Sequence, residues 1–159
     1  MRKSIEMARQ SLEIEANAVK DVLDKMDWVA FQKATEALSK CDKIITCASG
    51  SSGIAAKKFA HTLCCIERPA QFLPPCEAMH GGLGAENMDS PIAKQSDIVL
   101  PMHIEKESDK YNMQATSSYI ATIALFDALI CAVMEETDYK KEQFALIHPG
   151  GAVGERLNK

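Results

Sequence analysis

No apolar run in the sequence is long enough to cross a bilayer: the longest, residues 120–134, is interrupted by Asp127 and falls short of the roughly 20 residues required. The first ten residues, MRKSIEMARQ, carry charge from the outset and lack the apolar centre of a secretion signal, which points to the cytoplasm. A surplus of positive charge is also missing. Eighteen Lys and Arg stand against 22 Asp and Glu, a net charge of −4, so the chain cannot neutralise a phosphodiester backbone and nucleic acid is set aside as a partner. No CxxC pair and no HExxH occurs, so no metal site is expected. Neither a P-loop lysine motif nor GxGxxG is present. The six cysteines (Cys41, Cys47, Cys64, Cys65, Cys76 and Cys131) lie mostly in apolar or helical context, and in a reducing compartment they read as small core residues rather than disulfides. What the 159 residues do have is 47% hydrophobic content, enough for the core of one domain.

Hydrophobic spacing divides the chain. Ile5, Ala8, Leu12, Ala16, Val19, Leu23 and Met26 recur at steps of three and four, the stripe of an amphipathic helix that Ser4 could cap. Asp27 then resembles a fresh N-cap, followed by a second stripe at Trp28, Phe31, Ala34 and Leu38. Residues 43–48 are short, apolar and β-rich, and stop at a Ser-Gly-Ser-Ser-Gly turn before a helical stretch over 54–66. Residues 70–73 and 97–102 read as further strands. Continuous apolar strands between helices indicate a parallel sheet covered on both faces, an α/β architecture. Thr116 to Ser118 should cap a helix over 119–135 that is apolar almost all round, and a short helix follows from Asp138.

Four places could carry chemistry. Ser49, Gly50, Ser51 and Ser52 stand where a strand ends and a helix begins; free N–H groups, the helix dipole and the hydroxyls would cradle a phosphate, although an ordinary turn with a serine cap has the same pattern. Glu77 and His80 would share a face if helical, either as an acid–base pair or as a structural cap. His103, Glu105 and Glu107 follow the strand at 97–102, and in open α/β sheets ligands bind beyond the strands' carboxyl ends; three charges in a row can equally be solvated. His148, followed by Pro149 and two glycines, is better placed for acid–base work than His61, which sits inside a helix.

The order KIITCASGSSG, CEAMHGGLG, SPIAKQSDIVLPM, ATSS and FALIHPGGAVGERL resembles the sugar isomerase (SIS) domain. It is most similar to the arabinose-5-phosphate isomerase branch, with its GEAxHGDLG-like segment and HPxGxLGxxL ending. The resemblance runs from the first helix to Leu157, and no cystathionine-β-synthase-type pair follows. It implies a three-layer sandwich around a parallel, flavodoxin-like sheet over 41–159, with N-terminal helices over 1–40 packing on that domain or on a neighbouring subunit. It also implies a homodimer or homotetramer with sites near subunit junctions. The implied reaction interconverts ribulose 5-phosphate and arabinose 5-phosphate through an enediol, with no cofactor needed in principle. Carried over by position, Glu107 matches the proton-transfer glutamate and His148 the acid–base histidine. Ser49, Gly50, Ser51 and Ser52 match the phosphosugar turn, and Glu77 and His80 match pocket residues.

Two departures stand out. Ser51 occupies a position where the branch has a lysine, and Ile54 replaces a histidine. Between Gly84 and Ser90, moreover, the family places a strand, a second serine-rich phosphate loop, a helix and another strand, whereas only residues 85–89 lie there in this chain. A βαβ unit needs roughly 30 residues. Without it the strand at Lys43 loses a neighbour, so the expectation is that the natural protein carries the segment; a real deletion would leave a damaged or repurposed domain. The functional alternatives are therefore an isomerase, a module that senses a sugar phosphate without converting it, or a purely structural domain.

Overall fold

The computed structural model of the protein describes residues 2–75, 91–147 and 156. The first element, α1 (Lys3–Lys25), has Arg2 rather than Ser4 as its N-cap, and no side chain caps it. The second, α2 (Trp28–Lys40), is capped as its sequence implies: Asp27 Oδ1 accepts from the N–H of Val29 at 3.0 Å and of Ala30 at 2.9 Å. Next come β1 (Ile44–Thr46), α3 (Gly50–Cys65) and β2 (Ala70–Phe72), then α4 (Pro91–Gln95), α5 (Ser117–Glu136) and α6 (Lys141–Ile147).

Strands β1 and β2 run parallel, with Ile44, Ile45 and Thr46 opposite Ala70, Gln71 and Phe72, and α3 is the connection between them. That βαβ unit seats α3 on the sheet. Where α3 ends, Glu67 takes a left-handed φ of 59°, Arg68 N donates to Leu63 O at 2.9 Å, and the Arg68 guanidinium reaches back to the carbonyls of Leu38, at 3.2 Å, and Cys41. One arginine thus satisfies the open end of α2 and ties it to the sheet.

Helix α5 is the hub, packing against α1, α2 and α3. Its inward residues Ala121, Leu125, Leu129, Ile130 and Val133 join one core with Val22 of α1, Met26 just after it, Phe31 of α2, and Phe59 and Leu63 of α3. The expectation that no segment is long enough to span a bilayer is corrected here: α5, with 20 residues, is long and apolar enough by length and composition alone, because Asp127 is a single interruption. Here it is a core helix, with Asp127 paired to Lys58 and Phe126 stacked on Phe59 at 4.5 Å.

Three further expectations need correction. The stripe of α1 foreseen as its core face looks outward along most of its length: Ile5, Leu12 and Leu23 are 49%, 68% and 61% exposed, Ala8 and Ala16 are exposed, and only Met26 is buried. The helix packs instead through the face of Ser11, Ile14, Ala18 and Val22, of which Ala18 and Val22 are buried. Residues 97–102 form no strand among the described residues. Leu100, Met102 and Ile104 lie against the core, but a strand exists only with a partner to complete its ladder. The cysteines do not fill the core: Cys47, Cys64 and Cys131 are exposed and Cys41 and Cys65 half-buried, all five as free thiols, while Cys76 lies outside the described residues.

Candidate functional site

Helix α3 starts earlier than its hydrophobic pattern implies, at Gly50, so the serine-rich turn is its first turn. Gly50 has a left-handed φ of 58° that favours glycine. At Gly53 a Cβ would meet Ala48 O at 2.7 Å, so glycine here is what lets the helix start tight against β1. Ser49 is the N-cap, yet its hydroxyl makes no capping bond, which removes the plain serine cap as the explanation of the turn. The N–H groups of Gly50, Ser51 and Ser52 belong to the helix end, which has no internal acceptors for them. Ser49, Gly50 and Ser52 are exposed and Ser51 half-buried. The turn offers N–H donors and hydroxyls but no cation at Ser51, and Lys58, two turns on, is committed to Asp127.

Glu107 is the other described candidate. Its Oε2 accepts from Thr116 N at 2.8 Å, Thr116 Oγ1 at 2.9 Å and Ser118 N at 3.2 Å. It therefore caps α5 from nine residues upstream, and Thr116, expected to cap with its own side chain, instead donates that hydroxyl to the glutamate. All three of these bonds fall on Oε2. Burial alone would raise the carboxyl's pKa, but the bonds from Ser118 and Thr116 together outweigh it and hold the group below its ordinary value. Glu107 is accordingly a fixed, ionised, half-buried carboxylate.

The loop that carries it is pinned along its length. Asn112, at φ 55°, takes the Glu107 N–H on Oδ1 at 2.6 Å, and Asp109 accepts from the N–H of Tyr111 and Met113 at 2.8 Å and of Gln114 at 2.9 Å. A cavity of about 270 Å³ opens between this loop and Met7, Gln10 and Ile14 of α1.

The two candidates open on the same end of the molecule. Helices α3 and α5 meet at their midpoints through Phe59 with Phe126 and Lys58 with Asp127. Just beyond their C-terminal ends Tyr139 OH donates to Cys65 O at 2.8 Å. The helices thus run in one direction, and their N-termini, with the serine turn and the Glu107 carboxylate, share the end to which β1 points. That is where ligands sit in open α/β folds.

Glu77, His80 and His148 lie outside the described residues. His61 is exposed on α3 with Cys65 Sγ 3.7 Å away, and His103 and Glu105 are exposed beside the loop. No cluster of His, Cys, Asp or Glu suited to a metal occurs among the described residues. Sequence reasoning missed Thr116 and Ser118 as partners of Glu107 because local motifs do not reveal a cap nine residues away.

No family model matches the chain. The arabinose 5-phosphate isomerase KdsD of Pseudomonas aeruginosa is 30% identical over 191 aligned residues, taking in 96% of this chain and 58% of KdsD. The chain thus spans little more than half the length of this curated relative. Because 96% of 159 is about 153, some 38 aligned positions of KdsD face no residue here. A solved Listeria monocytogenes structure classed with the sugar-phosphate isomerases is 36% identical, with a TM-score of 0.85, and the match covers 94% of this chain and 100% of that one. An Escherichia coli CFT073 protein in complex with arabinose 5-phosphate shares the fold, with a TM-score of 0.83 at 22% identity over 94% of this chain and 100% of its own. The fold is that of the phosphosugar-binding SIS domain. This chain belongs to the SIS family of sugar-phosphate isomerases.

Proposed function

We propose that the protein is a cytoplasmic aldose–ketose isomerase that interconverts ribulose 5-phosphate and arabinose 5-phosphate. The observation that carries this reading is the Glu107 carboxylate, clamped through one oxygen at the start of α5 on the end where the serine turn opens. The relative named as an arabinose 5-phosphate isomerase and the fold neighbour holding arabinose 5-phosphate support the choice of sugar.

In this mechanism Ser49, Gly50, Ser51 and Ser52 hold the phosphate at the positive end of the α3 dipole. Glu107 Oε1 takes a proton from the carbon beside the carbonyl, giving the enediol, and returns it to the neighbouring carbon. A carboxylate that is ionised at neutral pH needs no prior deprotonation, and one anchored oxygen fixes the approach of the other. His148 moves protons at the oxygens, and Glu77 and His80 line the sugar. The chemistry is proton transfer and in principle requires no metal or redox cofactor. Substituting Glu107→Gln should lower turnover by about 10²- to 10⁴-fold while ribulose 5-phosphate still binds. Turnover within a factor of two of the parent would remove Glu107 from the mechanism.

One observation favours a second reading, a sensor that binds the sugar phosphate without converting it: Ser51 leaves the phosphate turn without the lysine the resemblance implies. Binding of ribulose 5-phosphate with no exchange of its carbon-bound protons would identify that sensor.

The outward stripe of α1 further supports a homo-oligomer. Ile5, Leu12 and Leu23 sit at spacings of seven and eleven residues, one line along a helix face, and a second copy would cover them.

A further inference from the structure

We propose that Glu15, on α1 and far from Glu107 in sequence, is a positioning residue for the Glu107 carboxylate, acting through Ser108. The inference rests on the isomerase reading for its kinetic consequence but on geometry for its substance. Ser108 is 7% exposed, and its hydroxyl lies between two groups of α1. Ser108 Oγ donates to Glu15 Oε1 at 2.9 Å and accepts from Ser11 Oγ at 2.8 Å. Ser11 also lies 3.3 Å from Glu15 Oε1, one helical turn away on the same face. The hydroxyl protons therefore run in one direction, from Ser11 to Ser108 to the Glu15 carboxylate, which terminates the relay as a pure acceptor.

On its other side Ser108 is joined to the clamp. Its backbone N–H donates to Thr116 Oγ1 at 2.8 Å, and that hydroxyl donates to Glu107 Oε2. Thr116 Oγ1 is thus oriented from both directions: accepting from Ser108 commits its proton to Glu107. If Ser108 shifts, the Thr116 hydroxyl loses the bond that sets its rotamer, and Glu107 loses one of three donors. Glu15 is the only charged member of the relay apart from Glu107, and bonds to an ionised acceptor are the stronger kind. Glu15 is half-buried and meets Ser108 on the side through which α1 packs, the face that hydrophobic spacing did not identify.

Four variants test this: Glu15→Ala, Glu15→Gln, Ser108→Ala and the double variant Glu15→Ala/Ser108→Ala. Each is followed by steady-state kinetics on ribulose 5-phosphate, by thermal unfolding, and by the pKa of the Glu107 carboxyl from carbon-13 NMR. Glu15→Ala and Ser108→Ala should each lower kcat by about ten- to a hundredfold with KM changed less than twofold, as for a misplaced reacting group. Glu15→Gln, which keeps an acceptor for Ser108, should restore kcat to within about threefold of the parent, and the double variant should be no worse than either alanine variant alone. The Glu107 pKa should rise in both alanine variants. A loss of thermal stability with kcat and the Glu107 pKa unchanged would overturn the proposal, as would additive effects in the double variant. If the parent protein turns over no sugar phosphate, the isomerase reading fails, and the NMR measurement still decides whether Glu15 positions Glu107.

Discussion

At the scale of the residue, Glu107 caps α5, and the proposed mechanism gives it a second duty that usually competes with the first. A cap must be held and a base must keep an oxygen free; three hydrogen bonds on Oε2 would let one carboxylate do both. The same bonds make the group a sensor of acid. Its folded pKa lies below the ordinary carboxylate value, so its contribution to stability is complete above about pH 4.3 and is lost as the pH falls through the lower folded value. Asp109 acts in the same direction, because the N–H groups of Tyr111 and Gln114 hold its carboxyl low. Denaturant titrations at a series of pH values should show stability falling below about pH 4.3, and less steeply in Glu107→Gln than in the parent. Equal slopes in the two proteins would show that the cap does not hold the carboxylate as the geometry indicates. This role was half legible in the sequence. A glutamate beyond an apolar strand-like run marked the position, but its bond partners at 116 and 118 follow from the fold of the loop, which is fixed by Asn112 and Asp109.

At the scale of the element, the unit β1, turn and α3 was the most readable part of the chain, because an apolar β-rich run, a Gly/Ser break and a helical stretch are three independent local signals that agree. Helix α1 was legible as a helix but not in its orientation. Apolar residues lie on more than one of its faces, so spacing alone does not say which face meets α5. Residues 97–102 have strand composition without a ladder partner among the described residues, and no local pattern can supply one. Arg68 had no motif at all, yet it closes the end of α2. Replacing Arg68 with Ala should leave the carbonyls of Leu38 and Cys41 without their charged donor and lower unfolding free energy by about 1.5–3 kcal/mol in chemical denaturation. A loss below about 0.5 kcal/mol would mean that water replaces the guanidinium without cost.

At the scale of the whole molecule, the described sheet has two strands where the family resemblance implies a wider one, and about 38 aligned positions of a relative have no counterpart here, room for a βαβ unit of roughly 30 residues. In the proposed mechanism the phosphate would fall to the Ser49–Ser52 turn among the described residues, which would raise the demand on every other element that orders the site, the α1 to Glu107 relay included. The proposed homo-oligomer would cover the outward face of α1. Light scattering should report a dimer or tetramer for the parent chain, and Leu12→Glu should shift it toward monomer; a parent that is monomeric at micromolar concentration would set the second copy aside. The central claim, that this site moves a proton on a sugar phosphate, is tested most directly by proton NMR of ribulose 5-phosphate in deuterated water. The account predicts deuterium entering at the carbons beside the carbonyl and arabinose 5-phosphate accumulating with the parent protein, with both slowed at least a hundredfold by Glu107→Gln. A bound sugar phosphate whose protons exchange no faster than in buffer would contradict it.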